Sequence, residues 1–267
     1  MMLLAIDVGN TNIVLGVFEG DRLAQSWRLQ TLRERTADEI GILVTHLFAQ
    51  SGIDTGRIDG IILSSVVPPQ TGTIEEMAER YFGRTPLTVD PTTNTGMPIL
   101  YTPASDVGAD RVVNAVAAYE MFGRAERIPV IAVDFGTATT FDVISAAGEY
   151  IGGVICPGIG ISADALFQRA ARLPRVDVRK PPSIIGQTTV TSMQAGLFFG
   201  YVSMVDGIVQ RIRAELPSGD RAVCIATGGM AGVLANETTA IQRVEPDLTL
   251  QGLRLIWKRR QTPRTDD

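Results

Sequence analysis

The sequence predicts an α/β fold assembled from two related halves, and two observations carry that prediction. One is a repeated segment. Ala5-Ile6-Asp7-Val8-Gly9-Asn10-Thr11-Asn12 returns in the second half as Ala132-Val133-Asp134-Phe135-Gly136-Thr137-Ala138-Thr139. In each copy an apolar run ends in Asp, passes through Gly and small hydroxyl or amide residues, and re-enters an apolar run. That pattern reads as two buried strands joined by a tight turn. The other observation is that strand-like runs alternate with helix-like periodicity after each copy, as in mixed α/β layers. A chain of 267 residues suits one large domain or two, each of about 100–150 residues. The repeat favours two.

The elements follow in order. After the first hairpin, Thr36 and Glu39 form a capping-box pair ahead of Ile40, Leu43, Val44, Leu47 and Phe48, an amphipathic helix stopped by Gly52. Residues 61–67 read as a short buried strand ending at Pro68-Pro69, and Thr73 with Glu76 repeats the capping pattern for a helix closed by Gly83. Residues 87–89 form another strand, 91–103 a turn-rich loop carrying Tyr101, and 109–122 a helix followed by Gly123. In the second half the hairpin leads through Gly152-Gly153 to Cys156-Pro157-Gly158 and a helix over 161–173. A loop over 174–182, a long helix over 191–216 and a strand over 222–226 come next, and Gly228-Gly229 opens a short helix. The polar residues from Lys258 on read as a frayed tail.

Composition narrows the function classes. A hydrophobic content of 45% with 20% charged residues describes a soluble globular chain, and a net charge of −5 argues against a nucleic-acid partner gripped by a broad basic surface. Cys156 and Cys224 both lie in apolar runs, which reads as buried reduced thiols and points to the cytoplasm. The apolar start meets Asp7 at once and lacks a basic segment, so it does not read as a signal peptide. The stretch 195–209 is interrupted by Asp206 and too short to span a bilayer, so no membrane partner is expected.

Four places look chemical. Each repeated turn offers backbone amides that Gly lets a ligand approach closely, with Thr and Asn adding donors, so each can cradle a phosphate oxygen. The preceding Asp can hold a cation, directly or through water. A single such turn is an ordinary hairpin; its repetition at the head of both halves points to a nucleotide. The third place is Gly108-Ala109-Asp110-Arg111 at a helix start. An acid there is ordinarily a first-turn residue favoured by the helix dipole, whereas an Arg is disfavoured and hints at an anionic or polar ligand that its planar fork grips. Asp110 beside it is suited to accept a proton from a hydroxyl. The fourth is Ala226-Thr227-Gly228-Gly229, a strand running into a helix through two glycines, which suits a base or ribose packed on backbone.

Other chemistries fall away. His46 is the only histidine and lies between Val44 and Leu47 on a helix, where a partly buried structural role is expected. There is no Gly-x-Ser-x-Gly elbow, Walker motif, zinc-type Cys pair or Gly-x-Gly-x-x-Gly, so ATP, if bound, is not held by a P-loop.

Taken together, the segments Asp7 to Asn12, Val107 to Arg111, Asp134 to Thr139, Gly186 to Val190 and Met193 to Gly196 resemble type III pantothenate kinase, in order and over nearly the whole chain. Ile13 and Thr188 depart from the family pattern, where a smaller polar residue and Asn are usual. The resemblance implies two related actin-like (ribonuclease H-like) domains, residues 1–118 and 119–258, with an ATP cleft between them and 259–267 as a tail. It implies transfer of the ATP γ-phosphate to the 4′-hydroxyl of pantothenate, the first step of coenzyme A synthesis, by a homodimer using Mg²⁺ and potassium or ammonium. It also assigns residues. Asp7, Val8, Gly9, Asn10, Thr11, Asn12, Ile13, Val14 and Thr137 receive ATP, with Asp7 near Mg²⁺ and Asp134 on the monovalent cation. Asp110 is the base, and Tyr101, Gly108, Ala109, Arg111 and Thr189 hold pantothenate with it. A nucleotide-dependent regulator without kinase activity, or another small-molecule kinase or phosphohydrolase of the superfamily, stays open on fold alone. The Gly108–Arg111 segment and the Thr189 loop favour the kinase.

Overall fold

Strand β1 (Met2–Val8) is the centre from which the first half grows. It pairs antiparallel with β2 (Asn12–Glu19), which pairs antiparallel with β3 (Arg22–Gln30). Helix α1 (Ala37–Gln50) opens on the expected capping box, Thr36 with Glu39. Strand β4 (Gly60–Ser65) then lies parallel to β1, helix α2 (Pro68–Phe82) follows, and β5 (Leu87–Val89) lies parallel to β4. The sheet order is β3-β2-β1-β4-β5. Helix α3 (Ala109–Ala118) runs on into a π turn over Tyr119–Gly123. This structure, a computed structural model, describes residues 1–90 and 93–261. The first residues of the loop expected over 91–103 and the last six of the expected tail lie outside those described.

The second half repeats the scheme. Strand β6 (Val130–Phe135) pairs antiparallel with β7 (Ala138–Ile144), and β7 pairs antiparallel with β8 (Tyr150–Pro157). Helices α4 (Ile159–Arg169) and α5 (Thr189–Glu215) follow, then β9 (Val223–Thr227) parallel to β6, the short α6 (Ala231–Leu234) and β10 (Arg243–Val244). The order β10-β9-β6-β7-β8 matches that of the first sheet, strand for strand. Helix α7 (Leu248–Gln261) closes the described chain.

The chain divides into two compact units. One holds Met1–Met97, Tyr101–Ala117 and the residues from Thr249 on; the other holds Pro98–Leu100 and Ala118–Leu248. The chain passes into the second unit at Ala118 and returns to the first at Thr249, so that all of α7 but its first residue lies in the first unit. Its Trp257 ring fills the space beside Gly60, Leu250 lies against Gly16, and Arg254 pairs with Asp21 at 2.5 Å. Each unit has its own core. In the first, Leu4, Ile6, Ile13, Leu15, Ile61 and Leu63 pack under Ile40, Val44 and Phe48 of α1; in the second, Val133, Phe141 and Cys224 pack under Phe198, Val205 and Val209 of α5.

Several expectations change. Helix α2 starts at Pro68, not near Thr73, because proline suits the first helical turn, whose amides need no intrahelical acceptor. Thr73 lies inside the helix, its hydroxyl donating to the carbonyl of Pro69 at 3.4 Å. Gly152-Gly153 are strand residues of β8, and Lys258 to Gln261 are helical, not frayed. His46 is exposed and hydrogen-bonds Gln50 at 3.0 Å, so it has no buried structural role. The cysteines are free; Cys224 is buried, its thiol pushed up to about 12 by burial, while Cys156 is only partly covered. Among the described residues no helix is long and apolar enough to cross a membrane.

Candidate functional site

In the first unit the chemistry gathers where β1 and β4 end. Asp7 pairs in register with Ser64 of β4 and Val14 of β2, and the chain then turns through Gly9, Asn10 and Thr11. The turn is closed by the Gly9 amide donating to the carbonyl of Asn12 at 2.9 Å. Thr31, just past β3, braces it twice: its hydroxyl donates to the Gly9 carbonyl at 2.7 Å and its amide to the Thr11 carbonyl at 2.9 Å. Asn10 and Thr11 are exposed at the tip, whereas the side chains of Val8 and Ile13 are buried in the core. Ile13 therefore serves packing, which explains an apolar residue at that position.

The Gly108–Arg111 segment joins the same edge of the sheet. The amide of Val66, just past β4, donates to the Val8 carbonyl at 3.0 Å. A side chain on Gly108 would begin 2.6 Å from Asp110 Oδ1 and 3.7 Å from Val66 Cγ1. The end of β1, the end of β4 and the start of α3 thus meet at one corner, outside the carboxyl ends of parallel strands, where open α/β sheets place ligands. Ala109 and Asp110 are the first residues of α3 and partly open. Burial of its carboxyl pushes the pKa of Asp110 above the usual carboxylate range, against the Arg111 amide, which donates to Oδ1 at 2.8 Å, and the Arg111 charge. Such a carboxyl is a stronger proton acceptor than an exposed one. Arg111 is only 9% exposed. Its guanidinium is a buried group and not an ordinary surface one, so its replacement disturbs packing as well as any ligand contact. Tyr101, at 36%, is exposed in the preceding loop.

The second unit repeats the corner with different materials. Asp134 pairs with Thr227 of β9 and Thr140 of β7. The turn Gly136-Thr137 is exposed and closed by the Gly136 amide donating to the Ala138 carbonyl at 3.0 Å. Gly228, with φ +90°, follows β9; a side chain there would overlap Asp134 Oδ1 and lie 2.7 Å from the Phe135 amide nitrogen. Glycine is required at this crossing for both reasons. Gly158, between β8 and α4, presses on the turn, since a side chain on it would overlap the Thr137 carbonyl and lie 2.8 Å from that of Gly136. Thr189 is the exposed first residue of α5, whose N-cap Thr188 accepts from the Thr191 amide at 3.2 Å. Beside it runs a groove of about 880 Å³ lined in part by Pro157, Ser162, Thr189, Met193 and Tyr201.

Thr31, Val66 and Gly158 carry no motif and become visible only in three dimensions. Among the described residues no group of three or more acidic, His or Cys side chains could cage a metal. A kinase that uses ATP with a divalent metal needs no such cage, because Mg²⁺ usually keeps its waters and is held by one or two carboxylates together with substrate phosphates. Asp7 and Asp134 each stand at the foot of a turn, where β1 and β6 end.

A model of the type III pantothenate kinase family matches residues 3–211. The type III pantothenate kinase of Myxococcus xanthus (strain DK1622) is 56% identical over 258 residues, covering 97% of this chain and 98% of its own. That of Moorella thermoacetica (strain ATCC 39073 / JCM 9320) is 52% identical over 258 residues, covering 97% and 99%. Among solved structures, the inorganic polyphosphate/ATP-glucomannokinase of Arthrobacter sp. strain KM aligns with a TM-score of 0.51 at 16% identity, covering 98% of this chain and 99% of its own. That likeness concerns the fold, and it bears out the actin-like α/β architecture.

Proposed function

The chain belongs to the type III pantothenate kinase family, and from that membership we propose how its residues phosphorylate pantothenate. It is an ATP-dependent kinase that moves the γ-phosphate of ATP to the 4′-hydroxyl of pantothenate, the first step of coenzyme A synthesis. The observation that carries the residue assignment is Asp110, a carboxyl raised in pKa by burial, at the same sheet edge as the Asp7–Asn12 turn. Asp110 takes the proton of the attacking hydroxyl. Arg111, with Tyr101, Gly108, Ala109 and Thr189, holds pantothenate. The turn amides and side chains of residues 7–14, with Thr137, receive the phosphates. Phosphoryl transfer depends mainly on positioning and charge neutralisation, which amides, cations and one carboxylate supply.

Mg²⁺ held near Asp7 would offset phosphate charge, and Asp134 would anchor a potassium or ammonium ion. The working form is a homodimer, and the two free thiols support a place in the cytoplasm. Incubating the purified protein with ATP, Mg²⁺ and K⁺, with and without pantothenate, tests the activity. ADP formed only with pantothenate is the expected result. ADP release indifferent to pantothenate would point to a phosphohydrolase, and none at all to a regulator.

A further inference from the structure

We infer that Tyr201 is a positioning residue for the Gly136-Thr137 turn, acting through the backbone of Pro157 and Gly158. The inference rests on the reading that this turn receives ATP phosphates.

Tyr201 lies on α5, almost fully buried, at the edge of the groove between α4 and α5. Its hydroxyl donates to the Pro157 carbonyl at 2.6 Å. A phenol has one proton, so the 2.6 Å contact with Ser162 must run from the Ser162 hydroxyl to Tyr201. The Ser162 amide in turn donates to the Gly158 carbonyl at 3.0 Å. Two hydrogen bonds therefore end on the consecutive residues Pro157 and Gly158, and a third, from Ser162 to Tyr201, ties their donors together. These are the residues that brace the turn: Pro157 pairs in register with Ala138, and the α-carbon of Gly158 packs on the carbonyls of Gly136 and Thr137. Proline has no amide to hold its place, so its carbonyl is its only backbone tie. Burial raises the pKa of the Tyr201 hydroxyl, which keeps it protonated and donating at working pH.

A network so close to a phosphate turn controls where its amides point, and small displacements there cost rate and affinity steeply. Tyr201→Phe removes the hydroxyl and keeps the ring. We expect ATP affinity, measured by calorimetric titration of a non-hydrolysable ATP analogue with Mg²⁺, to fall about fivefold to tenfold, as for a lost buried hydrogen bond. The KM for pantothenate should stay within about twofold. A purely structural role would lower Tm and leave both affinities alone. Unchanged analogue affinity in folded Tyr201→Phe overturns the inference, as does a defect confined to pantothenate, which would make Tyr201 a wall of the substrate groove. If Tyr201→Phe does not fold, Ser162→Ala carries the same test with a smaller expected loss, about threefold, and no loss overturns the inference. Thr137→Ala separates the premise from the inference. An affinity loss there with normal Tyr201→Phe discards the positioning role alone, whereas no loss in either variant discards both.

Discussion

The two hairpin corners share a frame and differ in what they bring to it. Asp7 lies opposite Ser64 and Asp134 opposite Thr227, each across a parallel strand pair, and each is followed by a short turn. Past β4, however, the first corner receives the start of α3 with Asp110 and Arg111, while past β9 the second receives Gly228, whose value lies in having no side chain. The first turn is braced by a side-chain hydroxyl, that of Thr31; the second is braced by the backbone of Gly158. The duplicated frame thus carries charged side chains, Asp110 and Arg111, beside one turn and close backbone approach beside the other. Changes at Asp110 and Arg111 should alter the chemical step and substrate recognition; changes around either turn should alter nucleotide binding, and changes at Asp134 cation binding.

The sharpest way to break this comparison is Asp110→Asn. Loss of the base should lower kcat roughly 10²–10⁴-fold with ATP affinity kept; wild-type-like turnover would remove Asp110 from the mechanism. Its raised pKa also makes two pH statements. The acid limb of kcat/KM should lie above the ordinary carboxylate range, because the base works only when deprotonated. For stability, a carboxyl whose folded pKa exceeds its unfolded value favours folding while protonated and loses that advantage as pH rises through the folded pKa. Asp110→Asn should therefore melt above the wild type at neutral pH, with the gap closing on acidification.

Gly228→Ala probes the opposite corner. Left-handed strain of order 1–3 kcal/mol, together with the overlap on Asp134, should weaken ATP binding about tenfold to a hundredfold, while kcat at saturating ATP changes less. A pure kcat defect would erase the distinction between the corners. Asp134→Ala should abolish stimulation by potassium, and a full response in that variant would move the cation site elsewhere.

Arg111→Lys should raise the KM for pantothenate about tenfold, since an ammonium cannot replace a planar fork. The KM for ATP should change little. Because Arg111 is buried, stability should drop roughly 1–2 kcal/mol, more than a surface exchange would cost. A rise in the KM for ATP alone would assign Arg111 to the nucleotide. The smallest effect is expected from Thr31→Val, which keeps shape and removes the hydroxyl bond to Gly9. About 1 kcal/mol, near fivefold in ATP affinity, is the expected loss; none would mean that the first turn holds itself.

Much of this was legible because the repeated corners announce themselves locally. Asp, Gly and small polar residues between apolar runs are a pattern that needs no knowledge of neighbours, and Thr36 with Glu39 caps α1 as written. What stayed hidden depends on partners distant in sequence. Strand β3 is largely exposed, so Arg22 to Gln30 shows no buried stripe. Helix α7 is polar along much of its length and is held by particular contacts, such as Trp257 beside Gly60 and Gly252 against Val113. Thr73 misled because a capping pattern inside a helix looks the same on paper as one at its start, and the prolines ahead of it settled the matter. The turn braces Thr31 and Gly158 are single residues whose roles arise from where strands bring them.

The placement of α7 has a consequence for how the molecule is made. The second unit is nearly continuous, from Ala118 to Leu248, whereas the first needs residues from Thr249 on. On a ribosome, where domains form as their residues emerge, the later-encoded unit is complete first, and the unit begun first waits with its Gly16 and Gly60 faces uncovered until Leu250 and Trp257 arrive.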